Sequence, residues 1–260
     1  MAYVLITGAS SGIGREFARK FASKGFDLLL VVRGIFKLER LKEELQKEYG
    51  VEIKYFSCDL SENNGPKRVY RFVKDNGLDV SVLINNAGFG SFGKFLEGDL
   101  ARYQNMIDLN NKALMTMTYL FIKDMKERGY GHIVNVASIA GFMPGPYMAV
   151  YYASKAFVLN FSVALEEELR EDNIKVTTVC PGPVRTDFWD RAGVKMSDFK
   201  DRFLTRSPSE TVSTAYKAIE NNKGLIVDGF FNKAVVGSVK LLAKEATAKV
   251  VGFVQKNLQK

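Results

Sequence analysis

Short runs of apolar residues alternate along the chain with longer segments in which apolar positions recur every three to four residues. The short runs are typical of β-strands and the longer segments of amphipathic helices, so the chain follows a strand–helix rhythm. The predicted strands are Tyr3–Thr7, Asp27–Val32, Glu52–Ser57, Val80–Asn85, His132–Ala137, Lys175–Cys180 and Leu225–Val227. The predicted helices are Arg15–Lys24, Phe36–Tyr49, Pro66–Asn76, Asp99–Arg128, Tyr151–Glu171 and Ser209–Asn221.

The predicted strands indicate a parallel sheet that is covered on both faces. Leu28–Val32 is apolar at every position, whereas a strand with one face in water would alternate apolar and polar residues. We therefore predict an α/β fold, a Rossmann-like doubly wound parallel sheet of seven strands with helices on both faces, in a single domain spanning residues 1–260. Because ligands of such sheets bind beyond the carboxyl ends of the strands, the residues after each strand are the candidates for chemistry.

The composition matches an ordinary globular protein, with 47% hydrophobic and 25% charged residues. It excludes a disordered or collagen-like chain. The two cysteines, Cys58 and Cys180, do not make a disulfide scaffold. The single histidine, His132, argues against a histidine-based zinc site and against a Ser/His/Asp triad, so no metal centre is expected.

The net charge of +8 is concentrated in the C-terminal part of the sequence. Residues 233–260 carry six lysines and one acid, which leaves little excess elsewhere. The rest of the chain shows no stripe of Arg and Lys interleaved with aromatic residues, so no nucleic-acid partner is expected. No apolar run approaches the ~20 residues that span a bilayer. Because residues 1–6 lack the charged and cleavage regions of a signal peptide, the expected location is cytoplasmic.

A glycine-rich segment, Thr7-Gly8-Ala9-Ser10-Ser11-Gly12-Ile13-Gly14, follows the first predicted strand. Glycines permit a tight turn and let backbone N–H groups approach a pyrophosphate at the N-terminus of the next helix. A plain strand-to-helix turn is the alternative, and the flanking strand and helix favour dinucleotide binding. The expected contacts are Gly8, Ser10, Ser11, Gly12, Ile13 and Gly14.

Further motifs follow this loop in a fixed order along the chain. They are Asn85-Asn86-Ala87-Gly88 after the fourth strand, Ser138 after the fifth, the pair Tyr151 and Lys155, and Pro181-Gly182 after the sixth. Together with the glycine-rich loop, they resemble the short-chain dehydrogenase/reductase superfamily, in particular its NADP-preferring ketoacyl and steroid reductases. The resemblance covers residues 1 to about 190.

The resemblance implies a catalytic group of Asn110, Ser138, Tyr151 and Lys155. Tyr151 and Lys155 are four residues apart, which places both side chains on one helical face. An ammonium ~4 Å from the phenol, at an effective dielectric of ~20, is worth roughly 4 kcal/mol, or about three units of the tyrosine pKa, before desolvation opposes it. Ser138 would polarise the substrate carbonyl. The neighbouring Tyr152 does not match the family motif, because it is three residues from Lys155.

A helical asparagine is the fourth member of this expected group. In the family it anchors a water molecule that connects the lysine to bulk solvent. Asn110, in Met106-Ile-Asp-Leu-Asn110, matches it, and Asn111 is a one-residue alternative. A mid-helix asparagine on its own is usually solvated or kinks the helix, so this assignment depends on the resemblance.

The end of the second strand bears on the choice of dinucleotide. An acid at this place bonds the ribose 2′-hydroxyl of NAD, whereas an arginine accommodates the 2′-phosphate of NADP. The strand here runs into Arg33, and Arg15 offers a second cation, so NADP is expected over NAD. The resemblance implies further cofactor contacts from Asp59 and Leu60 at the adenine, from Asn86, Ala87 and Gly88, and from Pro181, Gly182, Val184 and Thr186 beside the nicotinamide.

Two segments near the C-terminus carry apolar residues whose role stays open. Residues 186–208 are predicted as an irregular substrate loop that either covers a hydrophobic substrate or joins the core; they include Phe188, Trp189, Met196, Phe199 and Phe203. Residues 233–258 form an amphipathic, basic helical pattern whose apolar positions are Val235, Val239, Leu242, Ala246, Val250 and Phe253. That pattern fits packing on the protein or a second subunit, peripheral attachment to anionic lipid, or contact with an acidic carrier or coenzyme A ester.

These features predict an NADP-dependent reductase of an apolar ketone or aldehyde, reversible as an alcohol dehydrogenase. An NAD-linked alcohol dehydrogenase is one alternative. A dinucleotide-sensing scaffold without turnover is another, against which the complete Asn/Ser/Tyr/Lys set argues. The expected partners are a small carbonyl or alcohol substrate, a second copy in a homodimer or homotetramer, and a membrane surface where residues 233–260 make peripheral contact.

Overall fold

The computed structural model describes residues 2–34, 36–194 and 205–257, in which strands and helices alternate. The strands are β1 Tyr3–Thr7, β2 Asp27–Val32, β3 Ile53–Ser57, β4 Val80–Asn85, β5 Gly131–Val136, β6 Ile174–Cys180 and β7 Leu225–Val227. The helices are α1 Gly12–Ala22, α2 Phe36–Tyr49, α3 Gly65–Asp75, α4 Leu100–Ile107, α5 Leu114–Arg128, α6 Ala149–Glu168, α7 Phe188–Ala192, α8 Pro208–Glu220, α9 Phe230–Val239 and α10 Lys244–Asn257. Each predicted strand is found to within one residue at either end.

The seven strands form one sheet in the order β3-β2-β1-β4-β5-β6-β7, and every neighbouring pair is parallel. The strand order reverses between β1 and β4, which is the switch point where ligands of doubly wound sheets bind. The predicted Rossmann-like fold is confirmed. The loops that follow β1, β4, β5 and β6 therefore meet at one edge of the sheet.

Both faces of the sheet are buried, as the continuous apolar strands require. In β2, Leu28 and Leu30 belong to one core cluster with Phe17 of α1, while Leu29 and Val31 belong to another with Phe121 of α5. Successive side chains of a strand point to opposite faces, so the two clusters are the two layers between sheet and helices. This packing fixes where the strand ends lie.

The predicted helix Asp99–Arg128 is interrupted in the structure. A π-helical turn, Asp108–Ala113, separates α4 from α5 and contains Asn110. Such turns place an extra residue in the helix and are often found at functional sites. Here the turn directs Asn110 and Asn111 into the interior, where both are buried.

The segments predicted as a loop and as one C-terminal helix differ from the structure in detail. Residues 186–208 begin with the short helix α7, which ends at Gly193 in the left-handed conformation. Met196, Phe199 and Phe203 lie outside the described residues. Residues 233–258 fall on two helices, α9 and α10, and residue 258 is also outside the described part. None of the described helices is long and apolar enough to cross a bilayer.

Candidate active site

The glycine-rich loop after β1 folds closely against the end of β4. Gly8 and Gly12 have φ values of 68° and 55°, a conformation that favours glycine. A Cβ at Gly14 would overlap the carbonyl oxygen of Gly8 and the side-chain amide of Asn86. That amide donates a hydrogen bond of 2.9 Å to the carbonyl oxygen of Thr7. The loop is therefore a tight cradle whose backbone remains open on its outer side.

A cavity of about 600 Å³ lies beyond the carboxyl ends of the strands. Its wall is formed by the glycine-rich loop, the end of β2, the loops after β3, β4, β5 and β6, and the start of α6. The sequence-predicted residues that line it are Gly8, Ser10, Ser11, Gly12, Ile13, Arg33, Leu60, Asn86, Ala87, Gly88, Ser138, Tyr151, Lys155, Pro181, Gly182, Val184 and Thr186.

Three residues predicted for the site are not part of this wall. Gly14 lies beneath the loop, where it allows the close approach to Gly8. Asp59 accepts hydrogen bonds from the backbone N–H and the hydroxyl of Ser61, so its carboxylate stabilises its own turn. Asn110 is buried behind the loop that follows β4.

Tyr151 and Lys155 both face the cavity and are both buried. Burial raises the pKa of the Tyr151 phenol above its ordinary value, and a hydrogen bond with Ser138 acts in the opposite direction. The Lys155 Nζ donates to the carbonyl oxygen of Val136 at 2.8 Å and lies 5.9 Å from the centroid of the Tyr151 ring. Burial lowers the pKa of Lys155 to about 8. Burial, which opposes the effect of a nearby ammonium, is the largest influence on the pKa of Tyr151, and the charge of Lys155 is not among its causes.

Ser138 connects the loops after β5 and β6. Its hydroxyl donates to the carbonyl oxygen of Pro181 at 3.3 Å and accepts from the backbone N–H of Ala140 at 3.1 Å. With its hydrogen bond to Tyr151, this places two hydroxyl groups side by side in the cavity wall. Such a pair has the chemistry to hold one carbonyl oxygen.

Asn110 links the loop after β4 to helix α6. Its amide donates to the carbonyl oxygen of Phe89 at 3.0 Å and to the hydroxyl of Ser154 at 3.1 Å, and its oxygen accepts from the Phe89 N–H. Ser154 in turn donates to the carbonyl oxygen of Tyr151 at 2.7 Å. Asn111 instead donates to the carbonyl oxygen of Ser154. Of the two asparagines, Asn110 therefore lies between the cavity loop and the tyrosine.

The sequence analysis did not single out Ser154, which lies between Tyr151 and Lys155 and is buried in the structure. It assigned only part of the apolar wall that lies beside Tyr151. That wall carries Phe188 and Trp189 of α7, both from the predicted substrate loop. The Phe188 ring lies 5.3 Å from the Tyr151 ring between centroids. Ile139, Met148, Tyr152 and Arg191 also line the cavity, and the sequence did not assign them to the site.

Arg33 lies at the rim of the cavity with 63% of its side chain exposed. Its guanidinium is 3.7 Å from the carboxylate of Asp59. Partial burial alone would raise the pKa of Asp59, but the hydrogen bonds from Ser61 and the charge of Arg33 hold it below its ordinary value. Arg15, the second expected cation, pairs instead with Glu44 at 3.7 Å. Of the two expected cations, Arg33 is thus the one that lines the cavity.

The sheet, the glycine cradle and the Ser/Tyr/Lys wall define an oxidoreductase of the nicotinamide dinucleotide-binding α/β class. The chain belongs to the short-chain dehydrogenase family, whose model matches residues 2–196. The resemblance seen in the sequence motifs is confirmed.

Two curated relatives are similar to this chain. A very-long-chain 3-oxoacyl-CoA reductase of Neurospora crassa is 38% identical over 182 residues, which cover 68% of this chain and 54% of the relative. A 17-beta-hydroxysteroid dehydrogenase type 3 of Mus musculus is 31% identical over 209 residues, covering 79% of this chain and 67% of the relative. The chain thus spans about half to two thirds of the length of these relatives.

A solved structure is similar over almost the whole chain. A short-chain dehydrogenase from Sphingobium yanoikuyae, in complex with NADPH, has a TM-score of 0.83 and 31% sequence identity. The match covers 94% of this chain and 97% of that one, so it extends well beyond residues 2–196.

Replacing Gly14 by alanine is expected to weaken dinucleotide binding. The added methyl group would overlap the Gly8 carbonyl oxygen and force the cradle open. We expect the Kd for NADPH to rise about tenfold or more, which corresponds to about 1.4 kcal/mol. Isothermal titration calorimetry measures this Kd. The matched control is Gly237→Ala, since a Cβ there meets nothing within 4 Å. Unchanged NADPH affinity in Gly14→Ala would contradict this picture of the loop.

Lys155 is expected to lower the stability of the protein near neutral pH. Because its folded pKa of about 8 lies below the ordinary 10.5, the unfolded chain binds more protons between these values. The free energy lost by burying the charged amine is therefore largest below pH 8 and disappears above 10.5. At about 1.4 kcal/mol per unit, Lys155→Met should raise the free energy of unfolding by roughly 3 kcal/mol near neutral pH.

Urea unfolding across this pH range tests the prediction. The advantage of Lys155→Met should shrink steadily as the pH rises from 8 to 10.5. The exposed Lys67→Met serves as the control, and its difference from the parent protein should stay constant. If the difference in free energy of unfolding between Lys155→Met and the parent protein is also independent of pH, the buried amine is not the source of the effect.

Proposed function

We propose that this protein is an NADP-dependent reductase of an apolar carbonyl compound, reversible as an alcohol dehydrogenase. The observation that carries the proposal is a single cavity in which a glycine cradle and Arg33 lie at one end and Ser138, Tyr151 and Lys155 at the other. A dinucleotide and a second, apolar molecule fit the chemistry of these two ends.

The residues of the cavity fit a dinucleotide. The glycine-rich loop leaves its backbone N–H groups open to a pyrophosphate at the start of α1, where the helix dipole favours negative charge. Arg33 supplies the cation that a ribose 2′-phosphate requires. Pro181, Gly182 and Thr186 would border the nicotinamide. When bound, the dinucleotide supplies the hydride that reduces the substrate carbonyl.

The chain's own side chains would position the carbonyl and provide the proton. Ser138 and Tyr151 donate hydrogen bonds to the carbonyl oxygen, and the Tyr151 hydroxyl delivers the proton to it. Lys155, whose pKa of about 8 is close to neutral, is suited to return a proton to that hydroxyl. Asn110 acts as a positioning residue, because it reaches Tyr151 through Ser154.

An apolar substrate is supported by the wall around Tyr151. Phe188, Trp189 and Met148 present aromatic and thioether surface on the side away from the glycine loop. The two curated relatives are named for 3-oxoacyl-CoA and hydroxysteroid substrates, which combine an oxo or hydroxyl group with a large apolar body. We infer the same combination for the substrate of this protein.

Removing the Tyr151 hydroxyl should abolish turnover and leave cofactor binding intact. In Tyr151→Phe we expect kcat to fall by about 10²–10⁴ because the proton donor is lost. A panel of apolar ketones, followed by the absorbance of NADPH, measures the rate, and calorimetry measures the NADPH Kd. Tyr152→Phe is the matched control: it also faces the cavity, yet its hydroxyl accepts from Gln255. Full activity in Tyr151→Phe would refute the mechanism, and NADPH binding without any turnover would favour a dinucleotide sensor.

The choice between NADP and NAD is tested at Arg33. Loss of a charge-assisted hydrogen bond is worth about 1.5–3 kcal/mol, so Arg33→Ala should raise the NADPH Kd by about 10- to 100-fold and leave the NADH Kd nearly unchanged. Arg19→Ala is the control, because Arg19 pairs with Glu44 on the outside of the protein. Tighter binding of NADH than NADPH by the parent protein, with Arg33→Ala indifferent to both, would establish the NAD-linked alternative.

A further inference from the structure

The C-terminal helices expose an unusual amount of apolar surface. Leu241 is 88% exposed and Leu242 50% in the turn between α9 and α10, and Val250, Phe253 and Val254 of α10 are each more than half exposed. We call these five residues the C-terminal apolar face. Phe230 and Phe231, at the start of α9, are also exposed.

Helix α10 packs on the protein with its small and polar side chains. Thr247 and Gln255 are buried, and a Cβ at Gly252 would lie 3.2 Å from Pro146. Gln255 donates a hydrogen bond of 2.8 Å to the hydroxyl of Tyr152 in the cavity wall. Ala246, Val250 and Phe253, three apolar positions of the predicted amphipathic pattern, are therefore on the outer side of the helix.

Lysines accompany this apolar face. Val250, Phe253 and Val254 recur at spacings of three and four and form one stripe of α10, and Lys249 and Lys256 are seven residues apart beside it. Lys240 and Lys244 flank the exposed leucines of the turn. All four lysines are exposed, and Glu245 is the one acid within residues 233–257.

We propose that the C-terminal apolar face docks on the surface of an anionic phospholipid bilayer. Leucine, valine and phenylalanine side chains would enter the boundary between headgroups and acyl chains, while the neighbouring lysines contact lipid phosphates and carboxylates. Helix α10 then lies in the plane of the membrane, and its buried polar side packs against the rest of the protein. This contact does not depend on the reaction the protein catalyses.

The charge of the face favours a bilayer over a second copy of the chain. In a twofold dimer the same patch meets itself, so the two sets of lysines would lie against each other, and residues 233–257 of each copy would offer one acid, Glu245, to offset them. An anionic membrane offers negative charge along the whole face. The same apolar area is then buried without bringing like charges together.

Flotation of the full chain with phospholipid vesicles tests the proposal. We expect the protein to float with phosphatidylcholine vesicles that contain phosphatidylserine, to bind pure phosphatidylcholine much more weakly, and to be released as salt is added. The triple variant Leu241→Ser, Val250→Ser, Val254→Ser should lose about tenfold or more in apparent affinity. The triple variant Lys240→Glu, Lys244→Glu, Lys249→Glu should lose at least as much on the anionic vesicles.

Matched controls change exposed residues elsewhere on the surface. Leu96→Ser with Tyr119→Ser removes apolar surface, and Lys47→Glu with Lys67→Glu reverses charge on α2 and α3. These variants should float like the parent protein. Melting temperature and NADPH affinity, measured on every variant, verify that each is folded, and they stay unchanged in the proposed picture.

Three results would overturn the proposal. The first is absence of the parent protein from anionic vesicles. The second is an equal loss of flotation in the control variants. The third is a dimer, seen by light scattering, that dissociates in the leucine and valine variant while vesicle binding is unchanged, since the face would then be a subunit interface. Loss of turnover in Tyr151→Phe has no effect on flotation, so failure of the reductase proposal is distinguishable from failure of this one.

Discussion

The junction between the ends of β1 and β4 is the contact on which the cavity depends. The hydroxyl of Thr7 accepts hydrogen bonds from the backbone N–H groups of Asn86 and Ala87 at 2.9 and 3.0 Å, and the Asn86 amide donates back to Thr7. Gly8 lies against this junction, where a Cβ would come within 3.0 Å of Asn86 and Ala87. The glycine-rich loop and the loop after β4 are thereby held as one unit, which Asn110 extends to helix α6. Polar contacts that are buried and mutually satisfied in this way make the site rigid.

The parts of the fold that depend on local pattern could be predicted from the sequence. Leu28–Val32 is apolar throughout because its alternate side chains enter two separate core layers, and this signal is contained in five neighbouring positions. The glycine-rich loop is equally local, since its conformation follows from glycine itself. Most of the predicted cofactor residues accordingly lie in the cavity wall.

Features that depend on packing between distant segments could not be predicted in the same way. The position of Ser154 between Asn110 and the Tyr151 carbonyl arises from the contact of α6 with the π-helical turn, 40-odd residues away in sequence. The pattern of α10 likewise shows an apolar stripe but not which side meets the protein. The inward side is set by two contacts of α10. Gln255 donates a hydrogen bond to the hydroxyl of Tyr152, and Gly252 packs closely against Pro146 because it has no side chain.

The electrostatics of the cavity follow from burial more than from pairing. An isolated Tyr/Lys pair in water would favour the ammonium and a more acidic phenol, but desolvation here disfavours both charged forms. The amine of Lys155 therefore titrates close to neutral pH, and the phenol of Tyr151 keeps its proton until an acceptor forms beside it. A proton held on a buried hydroxyl, with a near-neutral amine one helical turn away, is suited to be delivered to a nearby oxygen atom rather than lost to water. Burial of this kind lowers the stability of the fold, and the core on both faces of the sheet supplies the stability that makes it tolerable.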